Sequence, residues 1–332
     1  MLSRRSFGKV IGATAVAASV AGLDPATATA APSTSQPGAV KQINAGLLNV
    51  GYAEWGPQDG TPVICHHGWP TDIHSFVDAA NLLAPQGYRV IAPFTRGYGS
   101  TTFRSDRTFR NAQQSVVALD TIALMDALKI DKAILAGFDW GARTVSIIGA
   151  LWPERTKALV SVGGYVITNL QSNLDPLPPE GEHKWWHQFY FATERGKKGL
   201  ERNRDALARL MWQQESPNWN FDDATFARTA ASLHNDDHVA IVLHNYRWRL
   251  SLAKGDPRYD GLERKLAKAP KIDVPTVTLH GLDDPFAAPN DSGYRDKFTG
   301  KYKFSALKGI GGKLPMEAPA AFAQAVVDAD KL

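Results

Sequence analysis

Ala133-Ile134-Leu135-Ala136-Gly137-Phe138-Asp139-Trp140-Gly141-Ala142-Arg143 is the stretch on which the fold turns. Together with Lys132, its first four residues form a short apolar run suited to a buried strand. The G-x-D-x-G pattern that follows opens a helix. A strand that bends this sharply into a helix forces its central residue into strained backbone angles, and flanking glycines keep neighbouring side chains from colliding. Asp139 then projects at the sheet edge beside a helix N-terminus, which favours negative charge. A carboxylate held there is a nucleophile that needs no base for its first attack. An aspartate at a helix start can also serve merely as a cap.

Outward from this turn, short β-branched runs alternate with helical periodicity. Strands are expected at Pro62–His66, Tyr88–Ala92, Lys132–Ala136, Ala158–Val162, Thr276–Leu279 and Lys303–Leu307, with a helix over Val116–Leu128. Such alternation implies a mostly parallel sheet covered on both faces. It stops between about 165 and 258, a Trp-rich stretch with helical patterns at Lys184–Thr193, Glu201–Trp212, Asp222–Leu233 and His238–Leu252. A helical block inserted there reads as a cap over the ligand-binding edge of the sheet.

Composition sets the outer limits. The chain has 332 residues, 44% hydrophobic and 21% charged, which excludes collagen, coiled coil and wholesale disorder. Its single cysteine, Cys65, excludes an intramolecular disulfide and a Cys-rich metal site. A net charge of +4 without a dense Lys/Arg patch argues against a nucleic-acid partner. Residues 1–30 read as an export signal: Arg4-Arg5 and Phe7, an apolar run from Val10 to Leu23, then Ala28-Thr29-Ala30 as a cleavage site. The paired arginines resemble the twin-arginine signal, which implies export machinery as a partner and an extracellular or periplasmic location. The apolar run is too short for a stable anchor, since a span needs about 20 residues. Residues 31–40 read as a disordered lead-in.

Two further loops match the turn at Asp139. Cys65-His66-His67-Gly68-Trp69-Pro70 follows an early strand, and Pro93-Phe94-Thr95-Arg96-Gly97-Tyr98-Gly99 follows the next. They resemble the H-G-x-P oxyanion loop and the R-G-x-G loop of α/β hydrolases, and G-x-D-x-G has the layout of their G-x-S-x-G nucleophile elbow. Residues 41–332 therefore resemble the aspartate-nucleophile branch of the α/β-hydrolase superfamily: epoxide hydrolases, haloalkane dehalogenases and haloacetate dehalogenases. The resemblance implies an eight-stranded, mostly parallel sheet flanked by helices, with core segments 41–164 and 259–332 around a helical cap, 165–258. It also implies an oxyanion hole made by the Trp69 and Trp140 amides. Arg143 matches the arginine that helps haloacetate dehalogenases hold the substrate carboxylate, although Trp140 stands where those enzymes place a second arginine.

The resemblance extends into the cap. Trp186-His187 is similar to a cap motif whose His points at the departing halide or epoxide oxygen, with Trp186 beside the substrate. Asn245-Tyr246-Arg247 is similar to the cap Tyr-Arg, whose hydroxyl serves the same end. Such donors are what an opening epoxide requires. Packing alone is the competing account of both residues. In His280-Gly281-Leu282-Asp283-Asp284-Pro285 the spacing typical of the fold selects Asp284 as triad acid, with Asp283 as fallback.

One element does not match. Gly309-Ile310-Gly311-Gly312-Lys313-Leu314-Pro315-Met316-Glu317-Ala318-Pro319 follows the family pattern G-x-G-H…E-x-P except that Gly312 stands in the histidine slot. That histidine would activate the water that hydrolyses the alkyl-enzyme ester. Lys313 is expected to point elsewhere, and an ammonium is no base unless desolvated; His67, His280 or a cap histidine could substitute. Three functions are compatible with this pattern. One is a hydrolase of epoxide or carbon–halogen substrates, small and apolar or aromatic, with impaired or unusual deacylation. Another is an isomerase, cyclase or lyase using Asp139 as base. The last is a catalytically dead binding protein. No metal or organic cofactor is implied, and the oligomeric state is not legible.

Overall fold

The computed structural model describes residues 38–288 and 290–332, so the export signal read over 1–30 lies outside the described residues. Nine strands form one sheet: β1 (Lys41–Ala45), β2 (Leu48–Trp55), β3 (Thr61–His66), β4 (Tyr88–Pro93), β5 (Thr102–Phe103), β6 (Ala133–Phe138), β7 (Thr156–Val162), β8 (Thr276–Gly281) and β9 (Tyr302–Leu307). Their order is β1-β2-β4-β3-β6-β7-β8-β9, and the two-residue β5 pairs with β2. The expected eight strands thus gain a short ninth. From β4 to β9 every pairing is parallel, while β1, β2 and β5 form an antiparallel edge.

The central strand β6 is apolar and buried along its whole length because both faces of the sheet are covered. Along β6, Ile134 and Ala136 pack with one cluster, which also holds Phe76, Phe322 and Val326. Leu135 faces the other way, into a second cluster with Met125, Val145 and Ile148. The helices follow suit. α1 (Val77–Leu83) packs against α12 (Pro319–Lys331) on the first face, and α2 (Gln114–Ala127) against α3 (Trp140–Leu151) on the second.

The chain leaves β3 toward β4 on one side and β6 toward β7 on the other, so the strand order reverses between β3 and β6. Ligands of open α/β sheets bind at the carboxyl ends of strands at such a reversal. Here these ends carry His66-His67-Gly68-Trp69 and Gly137-Phe138-Asp139. Between Val162 and Thr276 the chain contains no strand. Its helices are α4 (Pro179–Lys184), α5 (Trp186–Ala192), α6 (Glu194–Arg202), α7 (Arg204–Glu215), α8 (Asp223–Ala230), α9 (His238–Arg249) and α10 (Asp260–Leu266). The stretch expected as one helix over Lys184–Thr193 is divided at Trp185, which ends α4 and begins α5. α7 is tied to the core by Trp212 Nε1, which donates to the carbonyl of Pro70 (2.9 Å). α11 (Leu314–Glu317) lies between β9 and α12.

Candidate active site

Asp139 stands between β6 and α3 with φ 53° and ψ −124°, the sharp bend that the glycine spacing requires. A Cβ on Gly141 would lie 1.9 Å from the His66 carbonyl oxygen, and one on Gly137 would lie 2.5 Å from the Gly141 backbone. The two strand ends and the helix therefore touch backbone to backbone. Asp139 makes no side-chain bond to the helix it begins. Its Oδ1 instead accepts the Trp69 amide, 2.9 Å away across the strand reversal. The Trp140 amide makes no such bond among the described residues.

Asp139 is exposed, yet the residues around it are buried: Trp69, Trp140, His187 and Tyr246 each show 3% or less of their surface. The carboxylate therefore faces an accessible space walled by aromatic rings. Tyr246, on α9, packs edge-on against Trp69 and Trp140, with centroids 5.8 Å away in both cases. His187, on α5, meets Tyr246 edge-on at 5.2 Å and stacks with Trp69 at 5.8 Å. Burial, reinforced by the Asp139 charge, pushes the Tyr246 hydroxyl well above the usual phenol range, so it stays protonated. Burial lowers His187 to about 3, so at neutral pH it is an uncharged ring whose Nδ1 has no hydrogen-bond partner.

Asp284 follows β8. Its Oδ1 accepts the Phe286 amide (2.9 Å), and burial raises its carboxyl to about 6 against the pull of Lys313. Asp283 turns away to accept from Asn218 Nδ2. Of the two aspartates, only Asp284 approaches Gly312: a Cβ on that glycine would lie 3.2 Å from Asp284 Oδ2 and 3.3 Å from Glu215 Cβ.

Lys313 does not point elsewhere, as expected from the sequence; it is fully buried and reaches inward. Its amide is held by Ser216 Oγ and Glu317 Oε1, both at 3.0 Å. Its ammonium donates to Glu215 Oε2, at the end of α7, and is kept protonated by the charges of Glu215, Asp139 and Asp284 despite burial. Two other proposed substitutes for the missing histidine, His67 and His280, are committed to other contacts. His67 bonds the Gly68 carbonyl through Nδ1 and accepts the Thr95 amide at Nε2. His280 bonds Tyr294 through Nε2 (2.6 Å).

The family model for the alpha/beta hydrolase fold matches residues 61–308. The chain belongs to the α/β-hydrolase family. A crystal structure of a Klebsiella pneumoniae protein, itself named an epoxide hydrolase by inference, is 55% identical to this hydrolase. The match covers 88% of this chain and 97% of that one, with a TM-score of 0.86. A non-heme chloroperoxidase of Streptomyces lividans is 35% identical over 135 residues, 40% of this chain and 48% of that protein. An epoxide hydrolase of Caballeronia sordidicola is 34% identical over 115 residues, 35% of this chain and 34% of that protein. The hydrolase thus matches about half, or less, of the length of these last two relatives, and its homologues are epoxide hydrolase-like.

Two guanidiniums lie near the carboxylate of this hydrolase, in addition to the Lys313 ammonium. Arg143, on α3, is buried and donates through Nε to the Val166 carbonyl (3.2 Å); burial and the nearby Arg249 lower it to about 9. Arg249, at the end of α9, lies 5.6 Å from the Trp185 ring and 5.7 Å from that of Tyr246, and its Nε is buried without a partner. Neither guanidinium is paired with a carboxylate among the described residues. Arg249 and Glu215 both escaped sequence reasoning, because each joins the site only through packing of the inserted helices. Trp186 is not brought to Asp139. It donates to Gln214 (3.0 Å) and packs against Tyr190, while its neighbour Trp185 meets Phe286 at 4.3 Å.

The histidine slot is not an empty space in this hydrolase. A Gly312→His side chain would have to displace Asp284 or Glu215, and overpacking of this kind costs about 1–3 kcal/mol. Thermal melts should therefore show the variant less stable than the native protein.

Proposed function

We propose that this hydrolase opens an epoxide or displaces halide from carbon through an ester on Asp139. The observation that carries this reading is the Asp139 carboxylate itself, strained, open to an aromatic-walled space and bonded through one oxygen to the Trp69 amide. With Oδ1 held by that amide, Oδ2 is the attacking atom: it forms a bond to the electrophilic carbon as the bond to epoxide oxygen or halide breaks. The Tyr246 hydroxyl supplies a proton to the departing alkoxide, with the neutral His187 ring as a second donor. The two unpaired guanidiniums favour a substrate that carries a negative charge, such as a halo acid or an epoxy acid. Export follows from the twin-arginine pattern in residues 1–30, and fractionation of a producing cell tests it.

The reading is tested by intact-mass spectrometry after incubation with epoxides and 2-halo acids. It requires either turnover or a stable adduct located on Asp139; neither across a broad panel would leave a binding protein. Water-free conversion of substrate would point to an isomerase or lyase. Tyr246→Phe should slow epoxide opening by about 10²-fold. Halide displacement needs no proton and should be affected far less, which stopped-flow kinetics with the two substrate classes will separate.

A further inference from the structure

If Asp139 forms an ester, the enzyme must hydrolyse it without the usual histidine, and this inference rests on that reading. We propose that Glu215 is the base that activates the hydrolytic water, and that Lys313 is the positioning residue that holds it beside Asp284 and Gly312. Glu215 closes α7 and is buried, with its Cβ 3.3 Å from where a side chain on Gly312 would begin. Its main-chain carbonyl accepts the Gly312 amide (2.7 Å), so its backbone as well as its side chain is tied to the corner around Gly312. Lys313 occupies Glu215 Oε2, and Oε1 has no hydrogen-bond partner among the described residues. Glu215 is within electrostatic reach of both Asp139 and Asp284.

Glu215 takes a proton from water as the water oxygen bonds to Asp139 Cγ. The carbonyl electron pair moves onto Oδ1, where the Trp69 amide receives the charge. Collapse breaks the bond from Cγ to the alkyl oxygen, which takes the proton from Glu215 and leaves as an alcohol. The Asp139 carboxyl then loses its proton to solvent, and Glu215 is again a carboxylate.

The charges around Glu215 time this step. It faces Lys313 from the loop after β9, Asp139 from the end of β6 and Asp284 from the end of β8; Glu317 lies behind, tied to Ser216. Burial and the two aspartates push Glu215 up to about 7 against the pull of Lys313. Esterification neutralises Asp139 and removes one of these pushes, so Glu215 sheds its proton in the intermediate that needs a base. Ester hydrolysis should therefore rise with pH to a plateau, with a midpoint below that of the free enzyme.

Single-turnover measurements on the full chain test this, with a 2-halo acid and an epoxide as probes and intact mass as readout. Glu215→Gln keeps the shape and a contact to Lys313 but cannot accept the proton. It should form the Asp139 adduct at the native rate and lose it about 10²–10⁴-fold more slowly. Lys313→Gln should move the midpoint of hydrolysis upward, which a purely structural role would not do. Should either single variant unfold, the double variant Glu215→Gln/Lys313→Gln leaves no unpaired charge and should show the same persistent adduct. Native-rate adduct loss in Glu215→Gln with an unchanged pH profile overturns the proposal, as does an adduct that persists in the native protein. Absence of both adduct and turnover in the native protein defeats the Asp139 ester itself, and the base with it.

Discussion

An Asp139→Asn protein will fold normally and lose about 10⁴–10⁶ of the native rate of halide displacement or epoxide opening. That corresponds to roughly 5–8 kcal/mol of barrier. The amide can still accept the Trp69 N–H through its oxygen, and the strained backbone at this position is unchanged, so the loss isolates nucleophilicity. Burst kinetics with quantified halide, together with intact mass, is the measurement: no adduct should form at any pH. A variant that keeps a hundredth of the native rate would mean that another group attacks, and the assignment of Asp139 would fail.

The second large effect concerns stability. Gly141→Ala should cost more than about 3 kcal/mol, because its Cβ would sit 1.9 Å from the His66 carbonyl oxygen. No side-chain rotation relieves a collision with backbone. β3 and α3 would have to separate, carrying Trp69 and Asp139 with them. The midpoint of thermal unfolding should fall by on the order of 10 °C. A change within 2 °C would show that the elbow is looser than its contacts imply.

Much of the sheet could be read from the chain because its strands carry short buried apolar segments, such as Val90-Ile91-Ala92 in β4 and Ala133-Ile134-Leu135-Ala136 in β6, while β9 is only half-buried. β1 and β2 were not expected as strands. At this antiparallel edge Lys41, Gln42, Asn44 and Asn49 interrupt any apolar signal, and a two-residue strand such as β5 leaves none. The elbow at Asp139 was legible because Gly137 and Gly141 flank it in the sequence itself: Gly137 is demanded by its contact with Gly141, although Gly141 is demanded by the distant His66 carbonyl. Asp284 was legible by its spacing from Gly281. Glu215 was not, since its partner Lys313 lies 98 positions further along the chain. Lys313 was noticed but misaimed. Its direction is set by two bonds on its amide, from Ser216 and Glu317, that no local pattern announces.

The bond from Trp212 to the Pro70 carbonyl has an engineering consequence. Pro70 adjoins the residue whose amide grips Asp139, and Glu215 lies on the same helix as Trp212, about one turn further on. Roof and floor are thus clamped together by a single rod that also carries the proposed base. Chimaeras that graft a relative's insertion onto this sheet should keep residues 204–216 together with 67–71 as one transplanted block. Recombining the two halves from different parents would misalign donor and acceptor at once.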